Sequence, residues 1–388
     1  MLDSPIDTAV IPRMADTIAS PLSRLPDNKL ILGLFLPMQE GAWTPSKAPR
    51  STSWTFDYIA QCAKRAEDLG FDLLFGLAQW LSKGGYGGEI RFREHEIDPI
   101  IANASLASIT KRIVLINTVH ILYAWHPLHL AKFGAAMDHI SGGRWGINVV
   151  TGYKPSEYLM FGLAPIEHDH RYVMADEFTT IMERLWSEDE DLSFNGRFWK
   201  TEKAFLAPKP GKRRPFLVNA ASSGTGLEYA AKHSDLIFIT APGGANPTKA
   251  CESLPAHNAK IKELAANHGR QIKTIINPHV ICRPTEAEAR KVYQTIMDHE
   301  DRVAADYFFS SVTGGDTKSW RALTRAQTAI GGNVHLVGTP EQIVEWFGKL
   351  HDAGCDGVQI NFFDYLTDLD FFGQTVLPLM KQAGLRRT

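Results

Sequence analysis

Cysteine is scarce: Cys62, Cys251, Cys282 and Cys355 are the only four in 388 residues, they lie far apart, and no two form a C-x-x-C pair. That spacing excludes a zinc ribbon and a disulfide-stapled fold, and it suits a reducing, cytoplasmic setting. Excess charge is lacking too. The 41 lysines and arginines nearly balance 43 acidic residues, leaving a formal charge of -2, and no basic stripe offers itself to nucleic acid. No run of about 18 apolar residues occurs, so no membrane-spanning helix is expected. Residues 1–28 hold Asp3, Asp7 and Asp16 among prolines rather than the unbroken apolar stretch of a secretory signal, and they read as an N-terminal surface arm.

What is present is the balance of an ordinary globular enzyme, 44% hydrophobic and 22% charged, in a chain long enough for one large core. Short apolar runs expected to be strands fall at Leu30–Pro37, Phe71–Leu77, Ile113–Val119, Trp145–Val150, Pro215–Asn219, Leu236–Thr240, Thr274–Ile281 and Gly357–Phe362. Helical spacing separates successive runs, as in Thr55–Leu69 with Phe56, Ile59, Ala60, Ala63 and Ala66. Alternating units of this kind predict parallel pairing, and eight of them predict an α/β fold closed into a (β/α)8 TIM barrel over residues 29–388, with an open doubly wound sheet as the competing architecture. Two connections are long for a minimal barrel, Ala241–Ala256 and Asp298–Val334. Both read as insertions or lid candidates; the second carries the glycine pairs Gly314-Gly315 and Gly331-Gly332. A surface excursion or an oligomer contact explains the second equally well.

In such a barrel chemistry sits where the strands end. That selects Leu77 and Gln79 after the second strand, Thr118 and His120 after the third, Asn148, Thr151 and Tyr153 after the fourth, and Ser222–Gly226 after the fifth. The last of these, within Asn219-Ala-Ala-Ser-Ser-Gly-Thr-Gly226, puts small residues and the hydroxyls of Ser222 and Ser223 before the helical run Leu227–His233. Free N–H groups and the helix dipole there suit a phosphate, although the same residues serve equally as a plain helix cap. His120, His126, His129, His168 and His170 raise the alternative of a metal-dependent hydrolase. No H-x-H ends a first strand and no H-E-x-x-H helix occurs, so the metal-ligand pattern is missing.

The segment Asp138-His-Ile-Ser-Gly-Gly-Arg-Trp-Gly-Ile-Asn-Val-Val-Thr-Gly-Tyr153 is the most specific stretch of the chain. A helix, a Ser-Gly-Gly-Arg turn and a strand ending Asn-Val-Val-Thr-Gly-Tyr resemble the bacterial-luciferase-like flavin monooxygenases. The resemblance extends over about residues 30–385, through His168–Tyr172, Phe194–Trp199, Pro208-Lys-Pro210, Val337–Glu341 and Gly354–Asn361. Within the family the chain looks most like the pyrimidine-ring-opening enzymes, with similarity to dimethyl-sulfone and alkanesulfonate monooxygenases.

The resemblance implies reduced FMN as cofactor and O2 as co-substrate. Carried over residue by residue, it implies Asn148 and Glu157 as flavin contacts, Arg171, Tyr172 and Ser223 at the phosphate end with Ser222 beside it, and Ala78 and Gln79 as backbone neighbours of the ring. Thr118 and Asn148 would supply the donors that hold activated oxygen, while Phe75, Leu77 and Tyr153 stand at the substrate-side positions. With Trp80 and Tyr123 these make a more aromatic pocket than a uracil-type ring needs, so the expected substrate is a small organic molecule, an N-heterocycle or organosulfur compound. No G-x-G-x-x-G follows the first strand, where Gly33-Leu-Phe-Leu-Pro37 stands instead, so reduced flavin is expected from a separate NAD(P)H:flavin reductase. Homo-oligomers are expected from the same resemblance. A barrel that binds flavin without catalysis, and a deazaflavin-dependent oxidoreductase, remain alternatives at this stage.

Overall fold

The protein is described by a computed structural model at residues 20–211, 213–221, 224–313, 329–332 and 334–387, with backbone alone at residues 124, 312 and 313. Twelve strands occur among the described residues: β1 Ile31–Phe35, β2 Leu73–Gly76, β3 Val114–His120, β4 Trp145–Val150, β5 Leu192–Asn195, β6 Lys200–Ala204, β7 Phe216–Ala220, β8 Leu236–Ile239, β9 Lys273–Ile276, β10 Pro278–Cys282, β11 Val334–Gly338 and β12 Gly357–Ile360. Eight of them close a barrel in the order β1-β12-β9-β8-β7-β4-β3-β2, and every pairing in it is parallel. This is the α/β TIM barrel that the alternation of patterns implies; the open sheet is excluded by closure.

Period-two alternation divides each strand between two cores. Ile31, Phe35, Leu73, Phe75, Val114 and Ile116, with their counterparts on β7, β8 and β9, fill the barrel interior. The intervening residues, such as Leu32, Leu74, Leu115, Ile147 and Leu217, face outward into a larger cluster shared with the helices. Inward space is rationed: a Cβ at Gly146 would stand 2.6 Å from that of Phe216 on the neighbouring strand, so the small residue lets Phe216 enter the core.

Three aspartates that directly precede strands fix the register. Asp72 accepts the amide of Leu32 at 2.8 Å, Asp235 that of Leu217 at 2.9 Å, and Asp356 that of Thr274 at 2.9 Å, each across to the adjacent strand. Asp72 also receives the buried Arg386 guanidinium, which donates to Leu30 and Gly70 carbonyls and so ties the C-terminal segment across the base of the barrel. Residues Leu22 and Leu25 of the expected N-terminal arm pack against the interior cluster from the same end. Residues 1–19 lie outside the described residues.

Helices follow the strands: α1 Phe56–Asp68, α2 Pro99–Ile109, α3 Ile121–Ala124, α4 Pro127–Ser141, α5 Pro155–Met160, α6 His168–Ser187, α7 Gly224–His233, α8 Pro247–Asn267, α9 Glu286–Asp298, α10 Arg302–Thr313, α11 Pro340–Asp352 and α12 Tyr365–Gln382. The Ser-Gly-Gly-Arg turn is the end of α4. Gly142 caps it at φ 65°, and Gly143 returns its N–H to the Asp138 carbonyl at 2.7 Å. Arg144 then donates to carbonyls of Ala107, Thr110 and Ile113, latching α2 to the start of β4.

Two expectations need correction. The run Thr274–Ile281 is not one strand: β9 ends at Ile276, and from Pro278, which has no N–H to give the barrel ladder, the chain turns out to pair with β11. Nor is Ala241–Ala256 all loop. Asn246 caps α8 by accepting the Lys249 amide, Pro247 takes the first turn, and Pro247–Ala256 is the first half of that long helix. In the second excursion, α10 and residues 329–332 are described, and residues 314–328, including Gly314-Gly315, lie outside the described residues.

Candidate active site

Thr118 and Asn148 are register partners on β3 and β4, both on the inward face at the carboxyl end of the barrel, 1% and 2% exposed. The Asn148 Nδ2 donates to Thr118 Oγ1 at 3.1 Å. Thr118 therefore has its own O–H free to donate, and Asn148 Oδ1 is buried with no partner among the described residues. A buried pair with two unused donors, the Thr118 O–H and the second Asn148 N–H, and one unused acceptor is an incomplete hydrogen-bond set that a ligand can complete. Beneath it lies an aromatic floor, in which Phe75 meets Phe35 at 4.9 Å and Phe238 at 4.7 Å between ring centroids. Phe75 thus forms part of the packed base, while Leu77, two residues on and half-buried, stands higher on the same face.

The turn after β4 carries the next group. Gly152 at φ 83° makes way for the Tyr123 ring, which a Cβ would meet at 2.3 Å. Tyr153 and Lys154 follow, and α5 presents Glu157. The Tyr123 hydroxyl donates to Glu157 at 2.5 Å and the Trp80 amide at 3.3 Å, while Lys154 Nζ lies 3.4 Å from the carboxylate and donates to the Tyr86 hydroxyl at 2.6 Å. Desolvation works against the Glu157 carboxylate, but His120, Lys154 and the donated hydrogen bonds outweigh it and hold its pKa below the usual value. Lys154 is held above its ordinary value: Tyr86, Tyr153 and Glu157 overcome desolvation, so it stays an ammonium. Burial lowers the His120 pKa, and pushes that of Tyr153 up to about 12.

Ala78 and Gln79 run alongside, where the Gln79 amide donates to Glu96 Oε1 at 2.8 Å. Burial pushes the Glu96 carboxyl up to about 8 against the opposing pull of that hydrogen bond, Arg93 and Lys154. An unfolded glutamate titrates near ~4.3. Between these values the folded chain keeps a proton the unfolded chain has released, so stability falls as pH rises from about 5 to about 8. Glu96→Gln keeps the acceptor for Gln79 and removes this linkage. Its melting temperature should fall less steeply than wild type across that window; an unchanged slope would show that Glu96 ionises normally.

The third group gathers at two helix starts. Arg171 donates to the Gly152 carbonyl from the first turn of α6, Tyr172 packs on Tyr229 of α7 with centroids 5.8 Å apart, and Thr225 donates to Asp169 at 3.0 Å. The α6 residues expected at a phosphate end therefore lie against the N-terminus of α7. Ser222 and Ser223 lie outside the described residues. Among the described residues no three His, Cys, Asp or Glu side chains converge as metal ligands.

The sequence reading missed Arg93, Glu96 and Lys154, all drawn into this end of the barrel. Arg93 and Lys154 carry one sequence signal, adjacency to the aromatics Phe92 and Tyr153, which marks a charge with a ring to lie on; Glu96 carries none.

The profile of the luciferase-like monooxygenases matches residues 31–357. An FMNH2-dependent dimethylsulfone monooxygenase of Pseudomonas putida is 31% identical, covering 91% of this chain and 96% of that protein. The pyrimidine monooxygenase RutA of Acinetobacter baylyi is 28% identical, with coverage of 90% and 94%. Among solved structures, a riboflavin lyase with modified FMN and riboflavin superposes with a TM-score of 0.81 at 23% identity, over 92% of this chain and 93% of that one. A long-chain alkane monooxygenase gives 0.78 at 22% identity over 94% and 93%. At these identities the structural matches speak for the barrel alone.

Proposed function

The chain belongs to the luciferase-like monooxygenase family, and from that premise we propose that Thr118 and Asn148 are the oxygen-handling groups of an enzyme that oxygenates a small organic substrate with reduced FMN and O2. It is an FMNH2-dependent monooxygenase. The single observation that carries the residue assignment is the buried Thr118–Asn148 pair, left with two donors and one acceptor unused above an apolar floor. Reduced FMN supplies the two electrons for oxygen activation. The protein supplies the surroundings: Thr118 and Asn148 hold polar atoms in place, and Phe35, Phe75 and Phe238 keep water from the barrel interior beneath them.

Glu157 and the backbone at Ala78 and Gln79 would hold the ring of the flavin, and Arg171, Tyr172 and the α7 N-terminus, with Ser222 and Ser223, its phosphate end. Leu77 and Tyr153 line the substrate side, with Phe75 as their floor. The fit rests on the unpaired Asn148 Oδ1 and His120 Nδ1 and on the two helix starts brought together by Thr225 and Asp169. An N-heterocycle or organosulfur compound is the proposed substrate, in line with the names of the relatives. Association into homo-oligomers is supported by Ile101, Phe133 and Ile140, exposed on α2 and α4. A cytoplasmic location is supported by four free thiols.

The enzyme is of the two-component kind, and a separate flavin reductase is its partner. With NADH and FMN alone the purified chain should oxidise little NADH; adding a flavin reductase should start product formation from dimethyl sulfone, uracil or another member of a panel of organosulfur compounds and N-heterocycles. Strong NADH oxidation without the reductase would overturn the two-component arrangement.

A further inference from the structure

We propose that the polar corner formed by Trp43, Gln79 and Arg93 is a receptor for an oxyanion carried by the substrate, a carboxylate or sulfonate on an apolar body.

Arg93 is 2% exposed, yet no carboxylate reaches it within ion-pair distance among the described residues. Its Nε donates to the Ala42 carbonyl at 2.8 Å and its Nη1 to Gln79 Oε1 at 3.3 Å, while Nη2 is buried with no partner. A buried, unpaired guanidinium is unfavourable unless something brings a counter-charge. Glu96, which accepts the Gln79 amide, does not: burial pushes its carboxyl up to about 8, so the protonated form prevails at neutral pH. Lys154 and Glu157 neutralise one another at 3.4 Å. The corner therefore keeps one net positive charge.

Two more unpartnered donors belong to neighbours of Arg93. Gln79 Oε1 accepts from both Arg93 and the Tyr86 hydroxyl, which fixes the amide orientation and leaves Nε2 as a buried donor without acceptor. The Trp43 ring lies 4.4 Å beneath the guanidinium carbon, and its Nε1 is likewise buried and unpaired. Three unmet N–H donors and one unmet positive charge call for an acceptor-rich anion. Neutral amide or sulfonyl oxygens satisfy the hydrogen bonds and leave the charge.

The corner is held rigidly. Arg93 sits at φ 61°, a strained backbone for a non-glycine residue. Gly85, at φ 58°, is the residue that allows it, since a Cβ there would fall 2.3 Å from the Phe92 carbonyl oxygen. From above, Phe308 of α10 covers the guanidinium at 5.0 Å. Trp43 also meets Phe35 of the barrel interior at 4.7 Å, so the anion would stand beside the interior face that carries Thr118 and Asn148. The inference rests on the monooxygenase reading only in calling the anion a substrate; the binding test below holds whether or not anything is oxygenated. The electron-rich pyrimidine edge of reduced flavin is the other source of such chemistry, and the test separates the two.

The full chain is titrated calorimetrically with benzenesulfonate and with methyl phenyl sulfone, which keeps the ring and sulfonyl oxygens but lacks the charge. Benzenesulfonate should bind at least about tenfold more tightly. Arg93→Met should abolish that preference and leave affinity for FMN, oxidised and reduced, within about twofold. Arg93→Lys should keep part of it, because the charge remains while the forked geometry is lost. Trp43→Phe, which removes one N–H and keeps a ring, serves as an independent variant should Arg93→Met not fold. Equal binding of the two probes, no binding of benzenesulfonate up to about 10 mM, or anion preference intact in Arg93→Met or Trp43→Phe would overturn the proposal. So would a loss of FMN affinity in Arg93→Met as large as the loss of anion affinity, which would assign the donors to the flavin.

Discussion

Asn148→Ala is expected to lower product formed per FMNH2 consumed by about a hundredfold, with FMNH2 oxidation by O2 continuing and hydrogen peroxide taking the place of product. The size follows from losing one pre-placed hydrogen-bonding group in a site closed to water, which reduces rates by about 10² to 10³. Asn148 is buried on the inner face of β4 and touches Thr118 across the register at 3.1 Å. Alanine removes both its amide nitrogen and the unpaired Oδ1 while leaving backbone pairing to Thr118 and Val218 unchanged. Thr118→Ser keeps the hydroxyl and should keep coupling; Thr118→Val keeps the volume and should lose it. Product yield per FMNH2, measured beside hydrogen peroxide, reads the effect. Unchanged coupling in Asn148→Ala and Thr118→Val together would remove both residues from the oxygen site.

Arg386→Ala should destabilise the fold by about 3–5 kcal/mol, the usual consequence of removing one partner of a fully buried ion pair. Arg386 and Asp72 are both essentially buried, and the guanidinium engages both carboxylate oxygens as well as the Leu30 and Gly70 carbonyls. Without it, Asp72 keeps, among the described residues, only the Leu32 amide as a side-chain partner. The consequence reaches the site because Asp72 sets the registry of β1 against β2, the two strands whose carboxyl ends lead to Trp43 and Gln79. Pairing Arg386→Met with Asp72→Asn should recover part of the loss by removing both charges at once. Urea unfolding reads the change; a loss under about 1 kcal/mol in Arg386→Ala would mean that the pair does not close the barrel base.

All eight barrel strands were legible as short apolar runs separated by helical spacing, because a parallel strand buried on both faces is apolar at almost every position. The strand β10 was hidden inside Thr274–Ile281, since Ile276 and Val280 look alike as letters and only Pro278 marks the departure. Ala241–Ala256 looked like loop from its composition, yet Asn246-Pro247 is also a helix start, and tertiary packing of Ala250 and Leu254 decides between them. At the site, Thr118 and Asn148 could be picked out as strand-end residues, while their shared inward face came with the register of β3 against β4. Arg93, Glu96 and Lys154 were not picked out, because nothing local tells that the glycine-rich loop after β2 folds beneath α10 with Tyr86, Phe92 and Phe308 in one cluster.

The central claim is that this barrel places an atom of molecular oxygen into an organic substrate. It is tested most directly by mass spectrometry of the product from the reductase-coupled reaction run under ¹⁸O2 in ordinary water. One heavy oxygen atom per product molecule, lost in Asn148→Ala, is the predicted result; product carrying oxygen from water alone, or a reaction that proceeds equally without O2, would contradict it.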